Sequence, residues 1–276
     1  MSRSTTLLFA HGGGFCKDTW EPIIRRLRDS SLLQTVSTRF VSFDFKYHGS
    51  NRDESVAPQI NLEDPRGPRV HHPATDLTAW TSADVLQQAR ALKNESVDTS
   101  LIGIAHSMGA SAMWNTEVQH PGTFDGLVLF EPNSPRPSRA AAEKYLRKLK
   151  NFAAWDRESL DAYMKGGLVE DAATGTTVLA CSPGIEAALY SHTWLDLTDQ
   201  QLAQPQCKIC FHYGTRTKMF LPSSFKELTK LDIQDLEPWI NQHSSIIMGG
   251  DFNCVLRPSR DRTRSTYIKI WTRMRR

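Results

Sequence analysis

Apolar and polar residues alternate between two periods along much of the chain, and the changes of period mark out its elements. Thr5–Ala10 is a short apolar run that stops at His11-Gly12-Gly13-Gly14, which predicts a strand closed by a glycine loop. Across Asp18–Asp29, Trp20, Ile23, Ile24 and Leu27 recur at helical spacing. Arg39–Phe45 returns to strand alternation. The stretch from His48 to Ala74 is polar and rich in proline and glycine, and reads as a long surface loop. Asp76–Lys93 carries Leu77, Trp80, Val85, Leu86, Ala89 and Leu92, which predicts an amphipathic helix. Leu101–Ala105 is a buried strand, broken at Ser107 into a small-residue helix, Ser107–His120. Gly126–Phe130 is a further apolar strand that ends at Glu131-Pro132. From Ser138 to about Gln204 the pattern is helical, with no clear sheet strand, until Gln206–Tyr213 resumes strand character.

Apolar strands separated by helices predict an α/β protein with a doubly wound, mostly parallel sheet covered on both faces. The helical stretch 138–204 falls between two sheet strands, where an insertion forms a cap over the crevice at the strand ends. The sheet domain is expected to occupy residues 1–230. Composition agrees, with 39% hydrophobic and 23% charged residues. The N-terminal apolar run is too short for a signal peptide, and no segment reaches membrane-spanning length. Five cysteines at irregular spacing suggest reduced thiols, so a cytoplasmic setting is expected. Cys207 and Cys210 are three apart on a strand, face opposite ways, and are read as structural.

The net charge of +3 conceals an asymmetry. Residues 257–276 hold eight basic side chains and one acid, Asp261, which leaves the rest of the chain at −4. This tail is read as a solvated end rather than a nucleic-acid contact.

Reactive groups in parallel α/β sheets gather beyond the carboxyl ends of the strands. Three ends here carry suitable residues. Ser107, between Ala105 and Gly109, has the layout of a serine exposed on a tight strand-to-helix turn, which would set up nucleophilic attack on an acyl carbon. A plain strand-to-helix junction of a nucleotide-binding fold is the alternative. The loop at Gly12 and Gly13 would offer one backbone N–H, paired with that of Met108, to a developing oxyanion. Its glycine spacing does not fit a dinucleotide fingerprint, and no Lys-Ser/Thr follows for a phosphate loop. Glu131 is placed to orient a catalytic imidazolium, or else to brace its loop. Such chemistry needs neither a metal nor an organic cofactor. The cap aromatics Phe152, Trp155, Tyr163, Tyr190 and Trp194 would line an acyl pocket or form the core of the cap.

Four segments carry a resemblance: Phe9-Ala10-His11-Gly12-Gly13-Gly14-Phe15 through Pro22, Phe43-Asp44-Phe45-Lys46-Tyr47-His48-Gly49-Ser50, Ala105-His106-Ser107-Met108-Gly109, and Leu129-Phe130-Glu131-Pro132. In this order they resemble the α/β-hydrolase superfamily, and are most similar to its toxin-biosynthesis and peroxisomal-lipase-like serine hydrolases, over about residues 5–220. The resemblance implies a helical cap, a small-molecule acyl substrate and hydrolysis of an ester, lactone or related bond. It also implies a histidine base late in the chain, after the serine and the acid.

Only His243 comes late enough. Its surroundings, from Trp239 through Gly250-Asp251-Phe252-Asn253 to Asp261-Arg262, resemble instead a piece of a LINE-type retrotransposon endonuclease over about residues 235–265. The remaining parts of such a nuclease have no place in this chain, so Asp251 and Asn253 are read as non-catalytic. Residues 231–276 are therefore expected to be a retroelement-like fragment with a basic tail, in place of the final strand and histidine loop. Two expectations stand side by side: a serine hydrolase impaired in its base, and a catalytically silent protein of the same fold from a chimeric gene.

Overall fold

A computed structural model describes residues 4–31, 33, 36–63, 69–95, 99–130, 157–170, 177–191 and 197–212. The first strand, β1 (Ser4–Ala10), shows how the sequence builds the core. Its side chains alternate between two faces, so Leu7 and Phe9 enter one apolar cluster while Leu8 and Ala10 enter another. Leu7, Leu8 and Phe9 are fully buried. Each such side chain contributes about 1.5–3 kcal/mol relative to exposure.

Four further strands complete the sheet: β2 (Thr38–Phe43), β5 (Thr99–His106), β6 (Gly126–Phe130) and β9 (Lys208–His212). The spatial order is β2-β1-β5-β6-β9, and every pairing is parallel. The chain leaves β1 toward β2 on one side, then crosses to β5 on the other. The strand order therefore reverses between β1 and β5, and a crevice opens there beyond their carboxyl ends.

Helices cover both faces, as the apolar strands require. Below one face α1 (Glu21–Arg28) brings Ile24 and Leu27, with Trp20 just before it, against Leu7, Phe9, Ile102 and Ile104. The helical run predicted from Asp18 opens as a 3₁₀ turn, Lys17–Trp20, and becomes α-helical where Pro22 sits in its first turn. On the other face lie α2 (Leu77–Glu95) and α3 (Met108–Gln119). Helix α3 is buried from Met108 to Val118 apart from Ser111, because its small residues let it lie between the sheet and α2.

The far end of α3 is held by a buried carboxylate. Glu117 accepts hydrogen bonds from the backbone N–H groups of Gly122 at 2.7 Å, Phe124 at 3.0 Å and Gln206 at 3.0 Å. One side chain thus ties the α3–β6 turn to the approach to β9.

Two regions differ from the sequence reading. The stretch 48–74 is not simply a surface loop: it contains a short antiparallel hairpin, β3 (Gln59–Asn61) with β4 (Arg69–His71), and His48 at its start is completely buried. The insertion contains α4 (Arg157–Gly167) and α5 (Pro183–Leu189), but also a two-stranded antiparallel hairpin, β7 (Leu168–Glu170) with β8 (Thr177–Leu179). Strands of three residues are too short to show a period. The hairpin stays apart from the central sheet. Among the described residues no helix is long and apolar enough to cross a membrane.

Candidate active site

At the end of β5 the backbone is forced into an uncommon shape. Ser107 has φ 52° and ψ −116°, one of two non-glycine residues with positive φ among those described. Such a conformation costs about 1–3 kcal/mol and persists only where its surroundings over-determine it. Three hydrogen bonds do so here. Ser107 N–H donates to the Phe130 carbonyl at the end of β6 (2.9 Å), Gly109 N–H donates to the His11 carbonyl after β1 (3.1 Å), and Ser111 N–H returns to the Ser107 carbonyl (3.0 Å). Although Ser107 holds the N-cap position of α3, its side chain does not cap the helix.

Small residues are needed on both sides of this turn. Ala105 is fully buried. At Gly109 an added Cβ would lie 2.6 Å from the His11 carbonyl oxygen and 2.7 Å from that of Ala10. These are backbone atoms, which have little room to yield.

The glycine loop after β1 lies directly alongside. Gly12 forms its base: the Gly12 carbonyl accepts from Phe15 N–H at 3.2 Å and from the His11 ring at 2.8 Å. Gly13 is at the partly exposed tip, where a Cβ would meet Met108 Sδ at 3.7 Å and Leu189 Cδ1 at 3.5 Å. Among the described residues, none of the hydrogen bonds that shape these turns uses the N–H of Gly13 or Met108.

Histidine rings brace the loop from beneath. A carbonyl can only accept, so His11 donates from Nδ1 to Gly12, and its Nε2 accepts from Phe45 N–H at 3.2 Å. By the same logic His48 donates from Nδ1 to the Lys46 carbonyl at 2.8 Å and accepts at Nε2 from Gly14 N–H at 3.1 Å. Both rings are held neutral. Burial lowers His11 to about 4 and His48 to about 3. His106, beside Gly12, is likewise lowered to about 3 by burial. The polar pattern from His48 to Ala74 predicted a surface position for His48. In the fold, His11 and His48 position the loop.

Asp44 secures the next layer. Its carboxylate accepts from Lys17 N–H at 2.7 Å, and from Ser50 N–H at 2.9 Å and Ser50 Oγ at 2.8 Å, with Lys17 Nζ at 3.3 Å. Burial opposes ionisation, but these donors outweigh it and hold the carboxyl below the usual range. Asp44 lies within one of the four resembling segments, yet only its neighbours in space show what it does.

The structure brings Ser107, Met108, Gly12 and Gly13 together at the β1–β5 crevice. Glu131 and His243 lie outside the described residues, as do Asp251 and Asn253. No group of three or more metal-ligating side chains occurs among the described residues. Tyr163, one of the cap aromatics, is buried with its ring 5.4 Å from that of Phe15, while Tyr190 is exposed. Glu186 of α5, which no motif marked, stands above Gly14.

The peroxisomal alpha-beta-hydrolase Lpx1 of Saccharomyces cerevisiae is similar in structure, with a TM-score of 0.62 at 17% identity over 83% of this chain and 68% of that one. E-2-(acetamidomethylene)succinate hydrolase gives 0.56 at 13% identity, over 83% and 80% of the two chains. A variant of N-formylmaleamic acid deformylase from Pseudomonas putida gives 0.53 at 15% identity, over 82% and 80%. At such identities the likeness is one of fold. No curated protein matches the chain. The model of the alpha/beta hydrolase family matches residues 7–266, a range that runs through the stretch 235–265. The parallel sheet, the strained serine after β5 and a family match over nearly the whole length agree: the chain belongs to the alpha/beta hydrolase family.

Proposed function

We propose that the protein is a serine hydrolase that cleaves an ester, lactone or related acyl bond of a small molecule through a covalent Ser107 intermediate. The observation that carries this reading is the Ser107 backbone, φ 52° and ψ −116°, at the switch point of the sheet and against a glycine loop. A serine kept in a strained turn, with its side chain not spent on the helix, is arranged for attack rather than for folding.

In this reading Ser107 Oγ adds to the scissile carbonyl, and the carbonyl oxygen becomes an oxyanion as the C–O π bond opens. The N–H of Met108 and that of Gly13 donate to it; Gly12, whose carbonyl anchors the turn, serves as the base of the loop. The Ser107 proton passes to a histidine and from it to the leaving alkoxide, and water then releases the acid. The expected histidine loop is replaced in this chain, so the base is the impaired member of this triad; Glu131 is placed to orient it, and among the histidines His243 alone comes late enough in the order of serine, acid, base. The rings of His11 and His48 are committed to backbone hydrogen bonds and are not the base.

A fluorophosphonate probe tests the reading. Labelling of the folded protein that disappears in Ser107→Ala supports it. Folded protein that does not label is a catalytically silent member of the family.

A further inference from the structure

Among the described residues of the insertion, helix α5 meets the glycine loop. Leu189 Cδ1 lies 3.5 Å from the position a Cβ would take on Gly13, and Glu186 Oε1 lies 2.8 Å from the corresponding position on Gly14. Residues three apart share one helix face, so α5 sets an apolar group over one glycine and a carboxylate over the next. Consecutive Cα atoms are 3.8 Å apart, which places the carboxylate within about 8 Å of Gly13.

This carboxylate differs from the other buried acids. Asp44 is met by three hydrogen-bond donors and the Lys17 ammonium, and Glu117 by three backbone N–H groups. Glu186 is half-buried and meets no donor and no cation among the described residues; burial raises its carboxyl. Among the described residues Tyr163 and Cys181 are the titratable groups that sense it, and neither brings positive charge. A carboxylate kept partly dry without a partner destabilises the fold, and an incoming cation would restore the missing partner.

We propose that Glu186 selects substrates bearing an ammonium group, which it pairs with at the edge of the oxyanion loop. This rests on the reading of the Ser107 crevice as an acyl-hydrolase pocket. Glu186 would hold the cation while Leu189 packs along the chain that joins it to the reacting carbonyl.

Calorimetric titration with n-hexylammonium and with 1-hexanol tests the proposal on the full chain, the Glu186→Gln variant and the Glu186→Leu variant. The native protein is expected to bind the ammonium at least tenfold more tightly than the alcohol, and Glu186→Gln to reduce that preference to within twofold. Both variants are expected to melt no lower than the native protein, because they remove an unpartnered acid. Equal binding of the two probes, no detectable ammonium binding, or a preference that survives Glu186→Gln overturns the proposal. So does a fall of several degrees in both melting temperatures, which would mark a structural role. Fluorophosphonate labelling of the native protein is read in parallel. Lost labelling with an intact ammonium preference overturns the hydrolase reading alone, and labelling without preference overturns this proposal alone.

Discussion

The N–H of Gly109 donates to the carbonyl of His11 at 3.1 Å, and a Cβ on Gly109 would stand 2.6 Å from that same oxygen. One bond therefore joins the turn that carries Ser107 to the loop that carries Gly13. It forms only where the residue has no side chain. Gly109→Ala is expected to separate the two turns, with a loss of about 1–3 kcal/mol of stability, the usual cost of overpacking. Urea unfolding measures the first effect. The rate of fluorophosphonate labelling measures the second, and it should fall at least tenfold.

Strain at Ser107 gives a separate expectation. Glycine adopts positive φ without steric cost, whereas alanine shares the strain of serine. Ser107→Gly should therefore be more stable than Ser107→Ala by about 1 kcal/mol, even though glycine loses more chain entropy on folding. Equal unfolding free energies for the two variants would show that the turn is relaxed.

Three of the buried histidines, His11, His48 and His106, make stability depend on pH. In the unfolded chain each ring takes up a proton near its ordinary 6.5, but in the folded protein only near 4 for His11 and near 3 for His48 and His106. Between those values the unfolded state binds more protons, so stability is full above 6.5 and falls as the pH drops toward 3. Asp44, held below its usual range, adds a loss in the same direction in the acid part of that window. Melting temperatures between pH 8 and pH 4 should fall steadily below 6.5. Replacing His48 with glutamine should flatten the slope, and an unchanged slope would exclude its burial as the cause.

Glu117 accepts from three backbone donors at the α3–β6 turn and before β9. Glu117→Ala leaves those N–H groups without an acceptor, a loss of about 3 kcal/mol at the upper end of the range for a buried group. Hydrogen exchange should speed up first at Gly122, Phe124 and Gln206. Glu117→Gln, which keeps one carbonyl oxygen, should lose less.

Much of this architecture was legible in the pattern of residues. Leu7 and Phe9 against Leu8 and Ala10 reveal a strand covered on both sides, since burial on a strand repeats every two residues. The run Ala105-His106-Ser107-Met108-Gly109 identified the strained turn, because few residue types fit a close crossing of strand and helix. The hairpins β3–β4 and β7–β8 were not visible, since three-residue strands hold no period. His48 looked like a loop residue because its neighbours are polar; it is buried against the rings of His11 and Trp80 and bonded to Gly14, all far away in sequence.

By itself, then, the sequence determined the order of strands and helices, the serine after β5 and the glycine loop after β1. These are local signals, set by the side chains of adjacent turns. Only the tertiary structure decided that β1 and β5 lie side by side, which brings the His11 carbonyl to Gly109. It also decided that the rings of His11 and His48 prop the loop, and that Glu186 stands over Gly14 with no partner among the described residues. Those relations depend on where distant segments pack, and packing depends on strand order and helix placement rather than on the period of any one segment.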